Sequence, residues 1–164
     1  MDLEQAVEDL TPRLLRYCAA RTRDAAIAED IAQDALAALV HRWRRYGPPD
    51  SPEAFTFAIA RRRATRAVYR RRLLLPLTYL LDRADGQRNP EVLVLDQEEK
   101  DATLSALARL ASRDLEALLL VAVSELDSTA ASRCLGISIG AFKVRLHRAR
   151  RRLETMMEPD DERS

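Results

Sequence analysis

The sequence predicts an all-α protein of two small helical domains joined by an acidic linker, the C-terminal domain being a helix-turn-helix. Three observations carry this reading. The 164 residues include only four glycines and seven prolines among many Ala, Leu, Arg and Glu, which favours helix over sheet. Apolar residues recur at three- and four-residue steps along most of the chain. Charge is also segregated, although the net value is only +1. Phe55 to Arg72 carries seven arginines and no acid, and Ser138 to Leu153 carries five arginines, one lysine and no acid. Between them, Asp82 to Asp101 holds seven acids. Two basic blocks around an acidic strap suggest two contacts with a polyanion. The same composition would also suit solvated faces in a GC-rich coding background, so position has to decide between the two.

Leu3, Val7, Leu10, Leu14 and Cys18 form a first helical stripe, with a kink or restart expected near Thr11-Pro12. Asp24 can cap a second helix on which Ile27, Ile31, Ala35, Leu39 and Trp43 point one way. Its other side shows Glu29, Asp30, Gln33 and Asp34, then Leu36 and Val40. Gly47-Pro48-Pro49-Asp50 breaks the chain, and Ser51-Pro52 restarts it as N-cap and first helical residue. The third helix carries Phe55, Ile59 and Ala60 early and turns basic from Arg61. These three helices are expected to form a domain over residues 1–75. Pro76, Asp85-Gly86, Pro90 and the acids mark residues 76–102 as linker, with Leu77 to Leu81 and Val92 to Leu95 apolar enough for part of it to dock.

A second domain, 103–157, reads as four short helices. Leu104, Leu107 and Leu110 lie on the first; Ser112 caps the next, with Leu115, Leu118, Leu119, Ala122 and Val123 inward. Asp127 or Ser128 starts the third, which ends at Leu135-Gly136, and Ser138 caps the last. On that last helix Phe142, Leu146, Ala149 and Leu153 form one apolar face, and Gly140, Lys143, Val144, His147, Arg148 and Arg151 lie opposite. A cationic face on a helix seated by its apolar side suits a major-groove reader, and the small first turn lets backbone approach bases or phosphates. An amphipathic helix with a merely solvated basic face is the plainer alternative. The final residues, 158–164, read as a disordered acidic tail.

Several function classes find no support. No apolar run approaches membrane-spanning length, and Met1-Asp2-Leu3-Glu4 is acidic where a signal peptide is basic, so a cytoplasmic chain without membrane insertion is expected. Cys18 and Cys134 are far apart and most simply buried thiols; with His41 and His147 they make neither a metal site nor a nucleophile–base pair. No enzyme activity, cofactor or small-molecule substrate is expected.

The run Leu135-Gly136-Ile137-Ser138-Ile139-Gly140-Ala141-Phe142-Lys143-Val144-Arg145-Leu146-His147-Arg148-Ala149-Arg150 resembles the promoter-reading helix-turn-helix of bacterial sigma factors of the extracytoplasmic-function (ECF) class. Pro12 to Tyr17 is similar to that family's first helix, Ala28-Glu29-Asp30-Ile31-Ala32-Gln33-Asp34 to its core-binding motif, and Ile59-Ala60-Arg61 to its Ile-Ala-Arg segment. The resemblance spans nearly the whole chain apart from the linker and tail. It implies a sigma factor that binds core RNA polymerase and directs promoter-specific initiation, with Asp30, Gln33, Asp34, Leu36 and Val40 docking on the polymerase. It further implies that the Gly47 to Ala54 loop and the third helix, with Arg61, Arg62, Arg63, Arg66 and Arg70, engage the minus-ten element. Ser138, Gly140, Lys143, Val144, His147, Arg148 and Arg151 would contact the minus-thirty-five element, and the linker would thread toward the polymerase channel. Trp43, Tyr46, Phe55 and Phe57 cluster near the expected melting loop, with core packing favoured for Trp43 and Phe55. An anti-sigma protein stays open as a partner, because neither tail nor thiols identify one. Departures from the family pattern are Phe55-Thr56 for Trp-Leu, Arg62 for Asn, Arg66 for Asp, Ala130-Ala131-Ser132 for Glu-Ile-Ala and Ala141-Phe142 for Thr-Val. A polymerase-independent helix-turn-helix regulator is the alternative reading; it leaves the Glu29 to Asp34 motif without a role.

Overall fold

The computed structural model describes residues 1–74 and 97–158. Among the described residues there are seven α-helices and no strand: α1 (Leu3–Thr22), α2 (Ala25–Tyr46), α3 (Pro52–Leu74), α4 (Gln97–Arg109), α5 (Ser112–Ala122), α6 (Ser128–Leu135) and α7 (Ile139–Met157). The linker between 75 and 96 and the tail from 159 lie outside them. Residues 97–102, expected as linker, form the start of α4.

Polar caps set most of the helix starts. Asp2 accepts from the Gln5 amide at 2.9 Å and Asp24 from the Ile27 amide at 3.0 Å, each satisfying one orphan donor of a first turn. Ser51 does the same for the Ala54 amide at 3.2 Å, with Pro52 opening α3.

Several local expectations are corrected. α1 runs through Pro12 without a break. Pro12 is exposed, as is Glu8, whose carbonyl would have accepted the missing amide proton, so water can satisfy that oxygen. The Thr11 hydroxyl donates to the Val7 carbonyl at 2.6 Å and supports the same turn. Ile27, expected inward, is exposed, and Trp43 is only half-buried. Ser112 is not the cap of α5: Ala111 occupies that position without a side-chain bond, and Ser112 is the first helical residue. Ala122 points outward, and the buried face of α5 is instead Asp114, Glu116, Ala117, Leu118, Leu119 and Leu120.

The first domain closes around Leu10, Leu14, Tyr17 and Cys18 of α1. Against them pack Ala28, Ile31, Ala32, Ala35 and Leu39 of α2, and Ala54, Phe57, Ala60 and Ala64 of α3. Alanine at so many contact positions lets helices approach closely. Tyr17 and Phe57 pack edge to face, ring centroids 5.7 Å apart at 83°. In the second domain, Leu118, Leu119 and Leu120 of α5 and Ala130, Ala131 and Cys134 of α6 are buried with Phe142, Leu146 and Ala149 of α7. The two domains also touch: α3 packs on α6, and α1 meets α5.

Candidate nucleic-acid interface

The α6–α7 pair is built by three consecutive local devices. Asp127 accepts from the Ala130 amide at 2.7 Å and starts α6. Gly136 ends it in the left-handed region (φ +67), which L side chains rarely adopt, while the Ile137 amide donates back to the Ser132 carbonyl at 3.1 Å. Ser138 then caps α7, accepting from the Ala141 amide at 3.1 Å. Phe142 and Ala149 are fully buried and Leu146 nearly so, which fixes the rotation of α7 about its axis.

That rotation leaves Ser138, Gly140, Lys143, Val144, His147, Arg148 and Arg151 all exposed. The helix thus offers a positive macrodipole end, an uncrowded first turn and cationic side chains on one surface. A Cβ built on Gly140 would meet nothing within 4 Å, so packing inside the chain does not require glycine there. Ala141 is exposed and Phe142 lies wholly inside, so this pair adds bulk to the core and leaves the outer surface small.

The arginines of α3 divide into two groups. Arg62, Arg66 and Arg70 are exposed, beside an exposed Tyr69, and make no ion pair among the described residues. Arg63 is half-exposed and bonds Asp34 of α2 at 2.6 Å. Arg61 sits about 100° around the helix from Arg62. That direction turns it to the second domain, where its Nε donates to Glu116 Oε1 at 3.1 Å. Arg61 is thus half-buried against the second domain, whereas Arg62, Arg66 and Arg70 face solvent.

On α2, Asp30 and Gln33 are exposed, Asp34 is tied to Arg63, and Leu36 and Val40 are half-buried. Leu36 packs partly against the core, while Val40 joins Ala37, His41 and Arg44 along an outer strip of the helix. Of the four aromatics near the α2–α3 turn, Phe57 is fully buried and Trp43 and Phe55 are partly covered. Tyr46 alone among them is exposed, its ring 5.5 Å from the Arg42 guanidinium and 5.6 Å from that of Arg45.

Sequence reasoning missed the seam between the domains. Glu116 is buried there, within 3.4 Å of Arg21 Nη2 and 3.1 Å of Arg61 Nε. Arg13 donates to the carbonyls of Ser124 (2.8 Å) and Glu125 (3.4 Å) and to Glu53 (2.6 Å), and Arg16 pairs with Glu125 at 3.1 Å. Glu125 itself has φ +55, a left-handed turn held from both backbone and side chain by α1. The only sequence signal for this was Arg13, Tyr17 and Arg21 at four-residue steps on α1, a polar stripe on an otherwise packed helix.

Burial pushes the Tyr17 hydroxyl far above its ordinary range, with Arg21 opposing and Glu116 reinforcing the shift. Burial likewise pushes the Cys18 and Cys134 thiols up to about 12, so both are unreactive in place. Among the described residues no grouping of His, Cys, Asp and Glu suits a metal ion, and no helix is long and apolar enough to cross a membrane.

Residues 6–73 match the family model described as Sigma-70 region 2, and residues 100–153 that described as Sigma-70, region 4. The chain is 32% identical over 169 residues to the ECF RNA polymerase sigma factor ShbA of Streptomyces griseus, covering 94% of this chain and 88% of that protein. It is 29% identical over 160 residues to the ECF RNA polymerase sigma factor SigD of Mycobacterium tuberculosis, covering 93% and 75%. In fold it resembles the sigma factor RpoE solved with the anti-sigma factor NepR from Bartonella quintana (TM-score 0.67, 22% identity, 96% and 97% covered). It also resembles CnrH solved with the cytosolic domain of CnrY (TM-score 0.67, 21% identity, 94% and 86% covered).

Proposed function

This chain belongs to the ECF class of RNA polymerase sigma factors, and from that premise we propose how its surfaces share the work of initiation. It is a transcription initiation factor: it binds core RNA polymerase and directs it to particular promoters. The domain from residue 1 to 75 docks on the polymerase through α2, with Asp30 and Gln33 as polar contacts, Asp34 beside them and Val40 as the apolar one. Leu36 supports this surface from its flank.

The same domain meets the minus-ten element through Arg62, Arg66 and Arg70, with Arg63 and Arg61 joining once released from their acidic partners. Tyr46, exposed between two arginines, offers an aromatic platform for an unstacked base. The domain from 103 to 157 reads the minus-thirty-five element with α7. The observation that carries this reading is the α7 surface from Ser138 to Arg151: cationic, without an acid over that stretch and rotationally fixed by Phe142, Leu146 and Ala149. Lys143, Val144 and His147 lie over base edges, and Arg148 and Arg151 over phosphates. The 76–102 segment joins the two contacts, its acidity suited to a channel that holds RNA.

All bond making and breaking belongs to the polymerase, so the chain contributes no catalytic group and acts in the cytoplasm where polymerase works. A protein partner of the anti-sigma kind would act by covering the α2 and α7 surfaces. Transcription reconstituted from core polymerase, this protein and a promoter library tests the reading directly. Selected promoters with paired elements at fixed spacing are the expected outcome; absence of any polymerase-dependent transcript overturns it. A polymerase-independent regulator would instead bind duplex tightly by itself at moderate salt.

A further inference from the structure

An exposed valine is the least expected residue on α7. Val144 is 51% exposed, although a β-branched side chain is among the poorer helix formers and gains nothing here from packing. Its direction is also particular. At about 100° per residue, Val144 points within roughly 20° of straight away from the buried Phe142, Leu146 and Ala149. Gly140 one turn before and Arg151 two turns after lie along that line, with His147 and Arg148 to either side of it. Val144 therefore stands at the crest of an acid-free, cationic stretch from Ser138 to Arg151. Single exposed apolar residues are ordinary on a protein surface; at the crest of a surface charged for DNA, one has a consequence.

The turn before it is low. Gly140 has no side chain, and a Cβ there would meet nothing within 4 Å, so no internal contact demands the glycine. Ala141 is exposed and carries only a methyl. A short side chain reaches a base edge only if the helix backbone comes close, and these two residues remove what would hold it off. Lys143, Arg148 and Arg151 are long enough to reach phosphates from that depth.

Chemistry then selects the ligand. Major-groove edges present hydrogen-bonding groups at every base pair and one apolar group, the C5 methyl of thymine. The Val144 side chain can neither donate nor accept. Over a guanine or cytosine edge it would strip water from polar atoms and return no bond, which costs affinity. Over thymine it covers the methyl and gains the burial of apolar surface. One side chain thus favours one base and penalises the others.

We propose that Val144 determines specificity for thymine in the minus-thirty-five element, its methyls packing on the C5 methyl of one base. This rests on the reading of α7 as the minus-thirty-five contact and adds which base is chosen and by what group.

The test removes that methyl alone. On a promoter duplex transcribed by the reconstituted holoenzyme, each thymine of the minus-thirty-five element is replaced in turn, on either strand, by deoxyuridine, and binding is followed by fluorescence anisotropy. At one position affinity should fall about fourfold, the equivalent of one buried methyl. In Val144→Ala, thymine and uracil there should bind alike, while responses at other positions stay as they were. Alanine is the better helix former, so this variant keeps its fold. Cytosine at the same position should bind more weakly than uracil or thymine, and 5-methylcytosine should recover about fourfold over cytosine with Val144 in place but not with alanine.

Uracil that is neutral at every thymine overturns the proposal and assigns Val144 to a surface that meets protein or solvent. A thymine preference that survives in Val144→Ala overturns it too, because another residue then reads the methyl. If no polymerase-dependent transcript is obtained, the sigma-factor reading falls by itself, and the same substitutions in duplexes selected by the protein alone still decide what Val144 reads.

Discussion

Removing Lys143 and Arg148 together separates recognition from folding most cleanly. Both are exposed on α7, and neither makes an ion pair or side-chain hydrogen bond among the described residues, so Lys143→Ala with Arg148→Ala should change stability by no more than about 0.5 kcal/mol. Binding should change far more. A phosphate contact adds about 0.9 to the slope of log affinity against log salt, and a base contact carries about 1–3 kcal/mol. If both side chains meet phosphate, the slope falls by about 1.8; if Lys143 reads a base, it falls by about 0.9 and discrimination at one position drops roughly five- to 150-fold. Fluorescence anisotropy of the holoenzyme on a promoter duplex, titrated from low to moderate salt, measures both quantities. Association with core polymerase, followed by gel filtration, should be unchanged. An unaltered slope and affinity would refute the assignment of α7 as a DNA contact, and loss of core binding would show that the change had disturbed more than that face.

Other perturbations probe the remaining surfaces. Asp30→Ala with Gln33→Ala should weaken core association at least tenfold while the thermal midpoint stays within a few degrees, since both side chains are exposed; intact association would remove α2 from the polymerase contact. Gly140→Ala should stabilise the fold by about 0.5–1 kcal/mol, because a Cβ there meets nothing, yet reduce promoter affinity if backbone and DNA approach closely. Denaturant unfolding and anisotropy check the two halves of that statement independently. Tyr46→Ala should slow open-complex formation, measured by permanganate reactivity of unpaired thymines, by an amount equivalent to about 1–3 kcal/mol if the ring stacks on a base. Unchanged reactivity would assign Tyr46 to the surface alone.

The parts of this protein that depend on neighbours in the chain were legible in the sequence. Asp24, Ser51 and Ser138 are caps three residues from the amides they satisfy, and Gly136 marks its turn through the one backbone region that favours it. Phe142, Leu146 and Ala149 announced the rotation of α7 by spacing alone. Where local signals conflicted, the reading slipped: Pro12 looked like a break, but an exposed proline leaves its orphan carbonyl to water. Ser112 had the chemistry of a cap but sits one position too late to serve as one. The seam was beyond reach for a different reason. Arg21 and Glu116 are 95 positions apart, and Arg61 and Glu116 are 55 apart. No periodicity links them, so Arg61 read as one more member of a basic run.

The alanines between α1, α2 and α3 bear on how such a protein diverges. Ala28, Ala32, Ala35, Ala60 and Ala64 are closed against neighbouring helices, and enlarging any of them would cost about 1–3 kcal/mol through overpacking. The exposed positions on α7 carry no such constraint, since Lys143, Val144, His147 and Arg148 touch solvent and support nothing beneath them. Mutation therefore meets two different landscapes in one short chain. Helix spacing is nearly frozen, while these exposed α7 residues can drift one at a time without passing through an unfolded intermediate genotype. A scaffold of this kind can acquire new target sequences at little risk to its own folding.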